Sequence, residues 1–204
     1  MVNNRIIAIG DIHGCIDNLR RLVAKISPVE SDFFVFLGDY IDRGPDTPNT
    51  VEFIIKFAEQ HQSVLLLGNH EQMCLDYFED DDPTFLMNRG DETLYQYEVS
   101  GISIEKHLDF FKTLKLYYET SNFIFVHAGL MPGIALNCQD KHDLLWIRDD
   151  FHDSDYDWGK TIVCGHTWQN EPVFYNNRIF LDTGACNGRY LSACDVLTKT
   201  IWTA

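Results

Sequence analysis

The chain has 204 residues, 45% of them hydrophobic and 23% charged, which is the balance of a folded protein rather than a disordered one. Its formal net charge of −15 disfavours binding to long polyanions, since no cluster of lysine and arginine offers a basic face, and we expect no nucleic-acid partner. No apolar run approaches the length of a membrane span, so no membrane partner is expected either.

The length suits one domain, and we predict a single domain over residues 1–204. The N-terminal stretch lacks the basic region, long apolar segment and cleavage site of a signal peptide, which predicts a cytoplasmic protein. The six cysteines are scattered without a CxxC pair, so we expect reduced thiols. Oligomeric state is not predicted from the sequence.

Apolar, β-rich runs predict the strands, and the helices follow from apolar spacing. The strand candidates are Arg5–Gly10, Phe33–Gly38, Val64–Gly68, Phe123–Val126, Thr161–Gly165, Arg178–Leu181 and Leu191–Lys199. Apolar residues at i, i+3, i+4 and i+7 predict one helix through Leu19–Ile26, with Asp17 as its cap, and another through Val51–Ala58, opened by Pro48 or Asn49. A third helix is predicted over Ser103–Leu116.

The order of these elements predicts an α/β fold of two stacked mixed β-sheets flanked by helices. Strands and helices alternate in the first half, as a largely parallel sheet requires, whereas the closing third is strand after strand and predicts a second sheet. The acidic run Glu79–Asp82 and Pro83 interrupt the pattern, and we predict a small cap or loop near residues 79–100.

Polar side chains follow five of the predicted strands directly. They are Asp11 and His13, then Asp39, then Asn69 and His70, then His127, and finally His166. Sites form at the carboxyl ends of strands in open α/β sheets, so these side chains are expected to meet. Imidazole and carboxylate together suit manganese, iron or zinc, and Asp39 is placed to bridge two such ions.

These segments carry a resemblance to a known family. The motifs GDIHG, GDYIDRG, GNHE, HAG and CGHT, spread between Gly10 and Gly184, resemble the calcineurin-like metallophosphoesterases, and within them the phosphoprotein phosphatase (PPP) branch in its compact bacterial and bacteriophage-lambda form. The resemblance implies that family's αββα sandwich. It also implies two divalent metal ions, manganese first and iron or zinc as alternatives.

The resemblance further assigns roles to individual residues. It implies one metal held by Asp11, His13 and Asp39 and a second held by Asp39, Asn69, His127 and His166. Arg43 and Arg148, with Asn69, are the implied substrate-binding residues. His70 is the implied general acid, and Asp42 its orienting partner.

The predicted chemistry is hydrolysis of a phosphoester. Two cations would lower the pKa of a bridging water, and the resulting hydroxide would attack phosphorus in line. Arg43 and Arg148 would hold the phosphoryl oxygens bidentately, and His70 would protonate the leaving group.

Three functions compete for this site. Our first prediction is a phosphomonoester hydrolase of the serine/threonine protein phosphatase type, acting on a phosphorylated protein or on a small phosphoester. The alternative is a symmetrical bis(nucleosyl)-tetraphosphatase. A catalytically inactive binding module is disfavoured, because every implied position is filled.

Several other polar residues receive plainer interpretations. Glu71 is expected to open the helix after GNHE rather than to bind metal. Arg89 lies where the compact bacterial pattern often has glycine, and it is expected either to contact an anionic substrate or to pair with nearby acids. His61, His107, His142 and His152 lack motif context and are expected at the surface or at an interface.

Overall fold

The computed structural model of the chain describes residues 5–204, so the first four residues of the N-terminal stretch lie outside the described part. The strands are β1 (Ile6–Ile9), β2 (Phe33–Phe36), β3 (Gln62–Leu65), β4 (Tyr117–Glu119), β5 (Phe123–Val126), β6 (Thr161–Cys164), β7 (Val173–Tyr175), β8 (Arg178–Phe180), β9 (Ser192–Asp195) and β10 (Thr200–Thr203). The α-helices are α1 (Ile16–Ile26), α2 (Thr47–Gln60), α3 (Asn69–Asp80), α4 (Thr84–Met87), α5 (Gly90–Ser100), α6 (Ile104–Phe111), α7 (Lys141–Trp146) and α8 (Asp149–His152).

The strands form two mixed sheets of five. The first has the order β10-β9-β1-β2-β3, in which β1, β2 and β3 are parallel and β9 runs antiparallel to β1. The second has the order β4-β5-β6-β8-β7, in which β5, β6 and β8 are parallel and both edge strands are antiparallel. The predicted architecture of two mixed sheets flanked by helices is confirmed.

Alternation along β1 and β2 explains how the sheets stack. Ile7 and Ile9 face the cluster formed with the helices of the first half of the chain, while Ala8 and Val35 face the second sheet. Side chains of a strand point to opposite faces in turn, so a fully apolar strand indicates burial on both sides. The outer face of the second sheet is covered by α7 and α8 through Leu144 and Phe151.

The last two strands do not lie where the sequence predicted them. The closing third of the chain was predicted to form the second sheet. The run Leu191–Lys199 contains β9, and the chain then turns back as β10, with both strands in the first sheet. They cover the edge of β1 that β2 leaves open, and a paired edge exposes no unbonded backbone groups. The edge strands β4 and β7 had no predicted counterpart.

Helix ends also differ from their predictions. The first helix begins at Ile16, so Asp17 lies in its first turn rather than at the cap. The second begins at Thr47, and the Asp46 carboxylate accepts the N–H of Asn49. The third ends at Phe111 rather than at residue 116, because Lys115 pairs with the backbone of Leu65 and Leu67 instead.

The segment predicted as a cap or loop near residues 79–100 is mostly helical. It comprises the end of α3 together with α4 and α5. His107, predicted at a surface or interface, is fully buried on α6, where its ring nitrogens lie 2.6 Å from the Tyr97 hydroxyl and 3.1 Å from Glu52 Oε1. No helix within residues 5–204 is long and apolar enough to cross a bilayer.

Candidate functional site

The predicted site residues lie just beyond the carboxyl ends of the parallel strands of both sheets. Asp11 follows β1, Asp39 follows β2, Asn69 opens α3 after β3, His127 follows β5 and His166 follows β6. These five side chains are buried, and none is more than 8% exposed. The stacking of the two sheets therefore brings side chains more than 150 positions apart along the chain to one place.

Asp39 lies at the centre of the cluster. Its Oδ2 atom is 3.4 Å from Nε2 of His13, and its Oδ1 atom is 3.4 Å from Nε2 of His127. Two groups of potential metal-ligand atoms, each within 4.8 Å of one another, share Asp39: one includes His13 and His70, and the other includes His127 and His166. One carboxylate thus presents an oxygen to each of two imidazole groups.

The second group converges on a single amide oxygen. Asn69 Oδ1 lies 2.9 Å from Nε2 of His127 and 3.1 Å from Nδ1 of His166. Amide oxygen, carboxylate oxygen and two imidazole nitrogens form a set of four donor atoms, the number that zinc takes and a mixture that manganese and iron accept.

Backbone carbonyls set the ring orientation of two histidines. His13 Nδ1 donates to the Ile41 carbonyl oxygen at 2.8 Å, and His127 Nδ1 donates to the Leu37 carbonyl oxygen at 2.9 Å. With the proton on Nδ1, the Nε2 lone pair of each ring faces Asp39 and is available to a metal ion. Burial lowers the pKa of His13 to about 3 and that of His166 to about 2, which keeps both rings neutral, as ligation requires.

Asp11 lies at the edge of this arrangement. Its Oδ2 accepts the backbone N–H of His166 at 2.9 Å, but its carboxylate belongs to neither of the two close ligand groups. Burial, together with the nearby Asp182 and Asp39 carboxylates, raises the pKa of Asp11 well above its usual value. A cation between these carboxylates would reverse that effect.

Unpaired buried polar atoms give a second reason to expect metal ions at this cluster. Asp11 Oδ1, His70 Nε2 and His166 Nε2 are buried and have no hydrogen-bond partner within residues 5–204. Buried polar atoms are costly when they lack partners, so three such atoms in one cluster indicate a ligand that supplies them.

Two motif glycines show how tightly the carboxylates pack against the backbone. A Cβ on Gly68 would overlap Asp39 Oδ1, and a Cβ on Gly165 would overlap Asp11 Oδ1. Glycine precedes Asn69 and His166 because the two carboxylates occupy the space that a side chain would need.

His70 and Asp42 form a pair beside the cluster. His70 Nδ1 lies 2.6 Å from Asp42 Oδ2, and both side chains are fully buried. The other carboxylate oxygen of Asp42 accepts the Thr93 hydroxyl of α5 at 2.5 Å. Sequence analysis missed Thr93, because it lies 51 residues from Asp42 and outside every motif. The helix α5 therefore supports the candidate acid through Asp42.

The two predicted arginines are exposed at the rim of the cluster. Arg43 Nη1 lies 3.1 Å from His13 Nε2, which places its guanidinium next to Asp39. Burial lowers the pKa of His127 and His166, and the charge of Arg148 adds a smaller effect in the same direction, so this side chain is within electrostatic reach. Arg89, in contrast, is 61% exposed and pairs with Glu92 at 2.7 Å on the surface of α5.

Glu71 has a structural role that its place in GNHE did not reveal. Its Oε1 accepts the N–H groups of Tyr40 and Ile41, and its Oε2 accepts those of Asp39 and Gly68, at 2.7–3.2 Å. One buried carboxylate therefore holds the turn that carries Asp39 and closes the first turn of α3.

Replacing Glu71 with alanine is expected to lower the free energy of unfolding by about 4 kcal/mol, because four buried N–H groups lose their acceptor. Urea denaturation in the presence of a chelator measures this loss on the metal-free chain. Glu98→Ala, on the exposed face of α5, is the matched control and should change stability by less than about 0.5 kcal/mol. Equal effects of the two substitutions would contradict the role given to Glu71.

Comparison with known proteins agrees with this architecture. The sequence model of the family described as "calcineurin-like phosphoesterase" matches residues 4–182. The chain therefore belongs to the calcineurin-like phosphoesterase family, and the predicted resemblance is confirmed.

The sequence identities to individual proteins are low. The chain is similar to the bis(5'-nucleosyl)-tetraphosphatase PrpE [asymmetrical] of Oceanobacillus iheyensis, with 26% identity over 91% of this chain and 86% of that protein. A crystal structure of a "putative diadenosine tetraphosphatase" superposes with a TM-score of 0.78 at 21% identity, covering 100% of this chain and 94% of that one. A serine/threonine phosphatase from Saccharomyces cerevisiae superposes with a TM-score of 0.62 at 16% identity, covering 98% and 79%. At these identities the two superpositions establish a shared fold.

Proposed function

We propose that the chain is a metal-dependent hydrolase of bis(5'-nucleosyl) tetraphosphates that cleaves them asymmetrically. The observation that carries the hydrolase is the Asp39 carboxylate shared between two groups of ligand atoms and flanked by Arg43. The substrate class is supported by the name of the relative similar over most of both chains.

Two divalent ions fit the cluster. One would be held by Asp39, His13 and Asp11, and the other by Asp39, Asn69, His127 and His166, with manganese the first ion to test. Bound there, the ions lower the pKa of a water molecule and neutralise charge on the reacting phosphate.

Side chains of the protein bind the phosphate and donate the proton to the leaving group. Arg43 and Arg148 are exposed, and a planar guanidinium holds phosphoryl oxygens through two parallel hydrogen bonds. The oxygen of water forms the new bond to phosphorus, and the bond to the bridging oxygen breaks. His70, whose Nδ1 is held by Asp42, offers its Nε2 proton to that departing oxygen.

The first sequence prediction, a serine/threonine protein phosphatase, stays a prediction. The sequence resemblance implies the same metal ligands for that function, and the yeast phosphatase shares the fold. The sequence prediction named the symmetrical tetraphosphatase as its alternative, whereas the PrpE relative carries the asymmetrical designation. We adopt asymmetrical cleavage, which releases a nucleoside monophosphate and a nucleoside triphosphate.

A substrate panel tests the proposal. Purified protein with added manganese is offered diadenosine tetraphosphate, phosphoserine, phosphothreonine and phosphotyrosine peptides, and p-nitrophenyl phosphate at equal enzyme concentration, and products are separated by anion exchange. AMP and ATP in equal amounts support the proposal, whereas ADP alone would indicate symmetrical cleavage. Turnover of the phosphopeptides without the dinucleotide would overturn the proposal in favour of a protein phosphatase.

A further inference from the structure

A groove runs between α3 and α7 on the surface beside the candidate metal centre. It encloses about 360 Å³ and is lined by Gln72 and Asp76 from α3 and by Asp140, His142 and Trp146 at α7. This volume is within the range of small-molecule sites. None of these five residues belongs to the ligand cluster, and none is one of the two proposed phosphate-binding arginines, Arg43 and Arg148.

The groove adjoins the ligand cluster through Trp146 of α7 and through the helix α3. The indole of Trp146 meets the imidazole of His166 edge-on, with ring centroids 6.0 Å apart at 85°. The helix α3 begins with Asn69 and His70, so Gln72 and Asp76 follow on the same helix, and Asp76 lies about 10 Å along its axis from Asn69. A molecule whose phosphate lies at the cluster therefore has the groove as its adjoining surface.

Two aromatic rings form one wall of the groove. His142 and Trp146 are 20° from parallel, with centroids 6.3 Å apart, and His142 is exposed while Trp146 is half-buried. The His142 ring makes no side-chain hydrogen bond to another residue of the described chain. Exposed flat rings of this kind are the surfaces on which nucleobases stack in proteins.

The charge of the groove selects a base rather than a phosphate. Asp76 and Asp140 contribute carboxylates and Gln72 an amide, against the single ammonium group of Lys141. One oxygen of each carboxylate already accepts a hydrogen bond, Asp76 Oδ1 from the Gln72 side chain and Asp140 Oδ1 from the backbone N–H of His142. Carboxylate and amide oxygens accept hydrogen bonds from an exocyclic amino group, and they repel phosphate. The Arg43 guanidinium lies instead at the ligand cluster, within 3.1 Å of His13 Nε2. This polarity matches a nucleotide with its phosphate at the cluster and its base in the groove.

We propose that this groove is the subsite for a purine base bearing an amino group, which stacks on His142 and Trp146 next to the reacting phosphate. The inference rests on the proposed function and deepens it. Because the Trp146 ring borders His166 directly, the phosphate next to the ribose of a base seated there is the one expected to reach the cluster. Attack at that phosphate releases a nucleoside monophosphate, which is the asymmetrical outcome.

The test compares His142→Ala with His142→Phe, which keeps a flat ring. In His142→Ala, KM for diadenosine tetraphosphate is expected to rise about tenfold more than KM for p-nitrophenyl phosphate, with His142→Phe close to wild type. Tyr175→Ala, which removes an exposed aromatic ring from β7, is the matched control and should leave the ratio of the two KM values unchanged. An unchanged ratio in His142→Ala overturns the inference.

A second measurement separates failure of the subsite from failure of the proposed function. AMP and ribose 5-phosphate are compared as competitive inhibitors of p-nitrophenyl phosphate hydrolysis by the wild type and by His142→Ala. Preference for AMP in the wild type that is lost in His142→Ala supports the groove even if the dinucleotide is not cleaved. Equal inhibition by the two compounds in the wild type overturns the groove and leaves the hydrolase proposal standing.

Discussion

Replacing Asp39 with asparagine is expected to remove bound metal from the chain and to lower kcat/KM by about 10³-fold or more, which corresponds to about 4 kcal/mol of transition-state stabilisation. The reason is the central position of this carboxylate, whose two oxygens lie 3.4 Å from His13 and from His127 respectively. Asparagine keeps one oxygen but brings no negative charge, so the group with His127 and His166 loses its carboxylate, and the ion proposed beside His13 would keep only that of Asp11.

The measurement is metal content per chain, determined by elemental analysis, together with the hydrolysis of p-nitrophenyl phosphate and diadenosine tetraphosphate. Wild-type protein stripped with a chelator should lose activity in the same way and regain it with manganese, whereas the variant should not. Asp17→Asn, an identical substitution at an exposed carboxylate of α1, is the control and should retain both metal and rate. A variant that keeps two metals per chain, or hydrolyses at the wild-type rate, would refute the bridging role.

The turns that carry the site are held in an uncommon backbone conformation. His13, Asp39, Asp42, Arg43 and His166 all have positive φ, between 47° and 66°. Left-handed backbone at non-glycine residues costs of the order of 1–3 kcal/mol each, and it persists only where surrounding structure enforces it. The four hydrogen bonds that the Glu71 carboxylate accepts from the Asp39 turn and from Gly68 are part of that enforcement. The expected loss of stability in Glu71→Ala and the geometry of the metal centre therefore have one cause.

The sequence predicts that the residues at the strand ends meet. It does not predict the hydrogen bonds that hold their turns in place. Apolar runs that end directly in Asp, Asn or His place those residues at one edge of a parallel sheet, and five such runs meet where two sheets stack. Nothing in that pattern shows the positive φ of Asp39, because the torsion is imposed by backbone hydrogen bonds to Glu71, 32 residues away.

Long-range pairing set the other limits of sequence analysis. The strand β9 pairs with β1 although the two are almost the whole chain apart in sequence, with Ala8 opposite Cys194. The residues of β1 themselves do not indicate which strand will pair with them. Thr93 and His107 are ordinary polar residues in sequence, and their burial depends on how α5 and α6 pack against α2 and the Asp42 turn. Motifs specify the chemistry of the strand ends, while tertiary packing decides which further residues contact them.

Replacing His70 with asparagine is expected to leave metal content unchanged and to slow hydrolysis of alkyl phosphates by about 10²–10⁴-fold, the usual contribution of a general acid. His70 Nδ1 is held 2.6 Å from Asp42, so the proton to be transferred is on Nε2, which is buried and has no partner within the described chain. An alkoxide leaves poorly without a proton, whereas a phenolate or a nucleoside triphosphate is stable as an anion. The loss should therefore be smaller for aryl phosphates and for the dinucleotide.

The same imidazole lies in one of the two groups of potential ligand atoms, with His13 and Asp39, and a metal-binding role makes a different prediction. A ligand substitution lowers metal content and slows all substrates in parallel, whereas loss of the acid separates the substrates by the basicity of their leaving groups. Asp42→Asn removes the orienting carboxylate, which contributes no atom of its own to either ligand group, so it should reproduce the substrate ranking of His70→Asn with full metal content. His61→Asn, at the end of α2, is the control for a histidine outside the site. Equal losses on alkyl and aryl phosphates, together with reduced metal, would assign His70 to the metal centre and leave the departing oxygen without a proton donor on this chain.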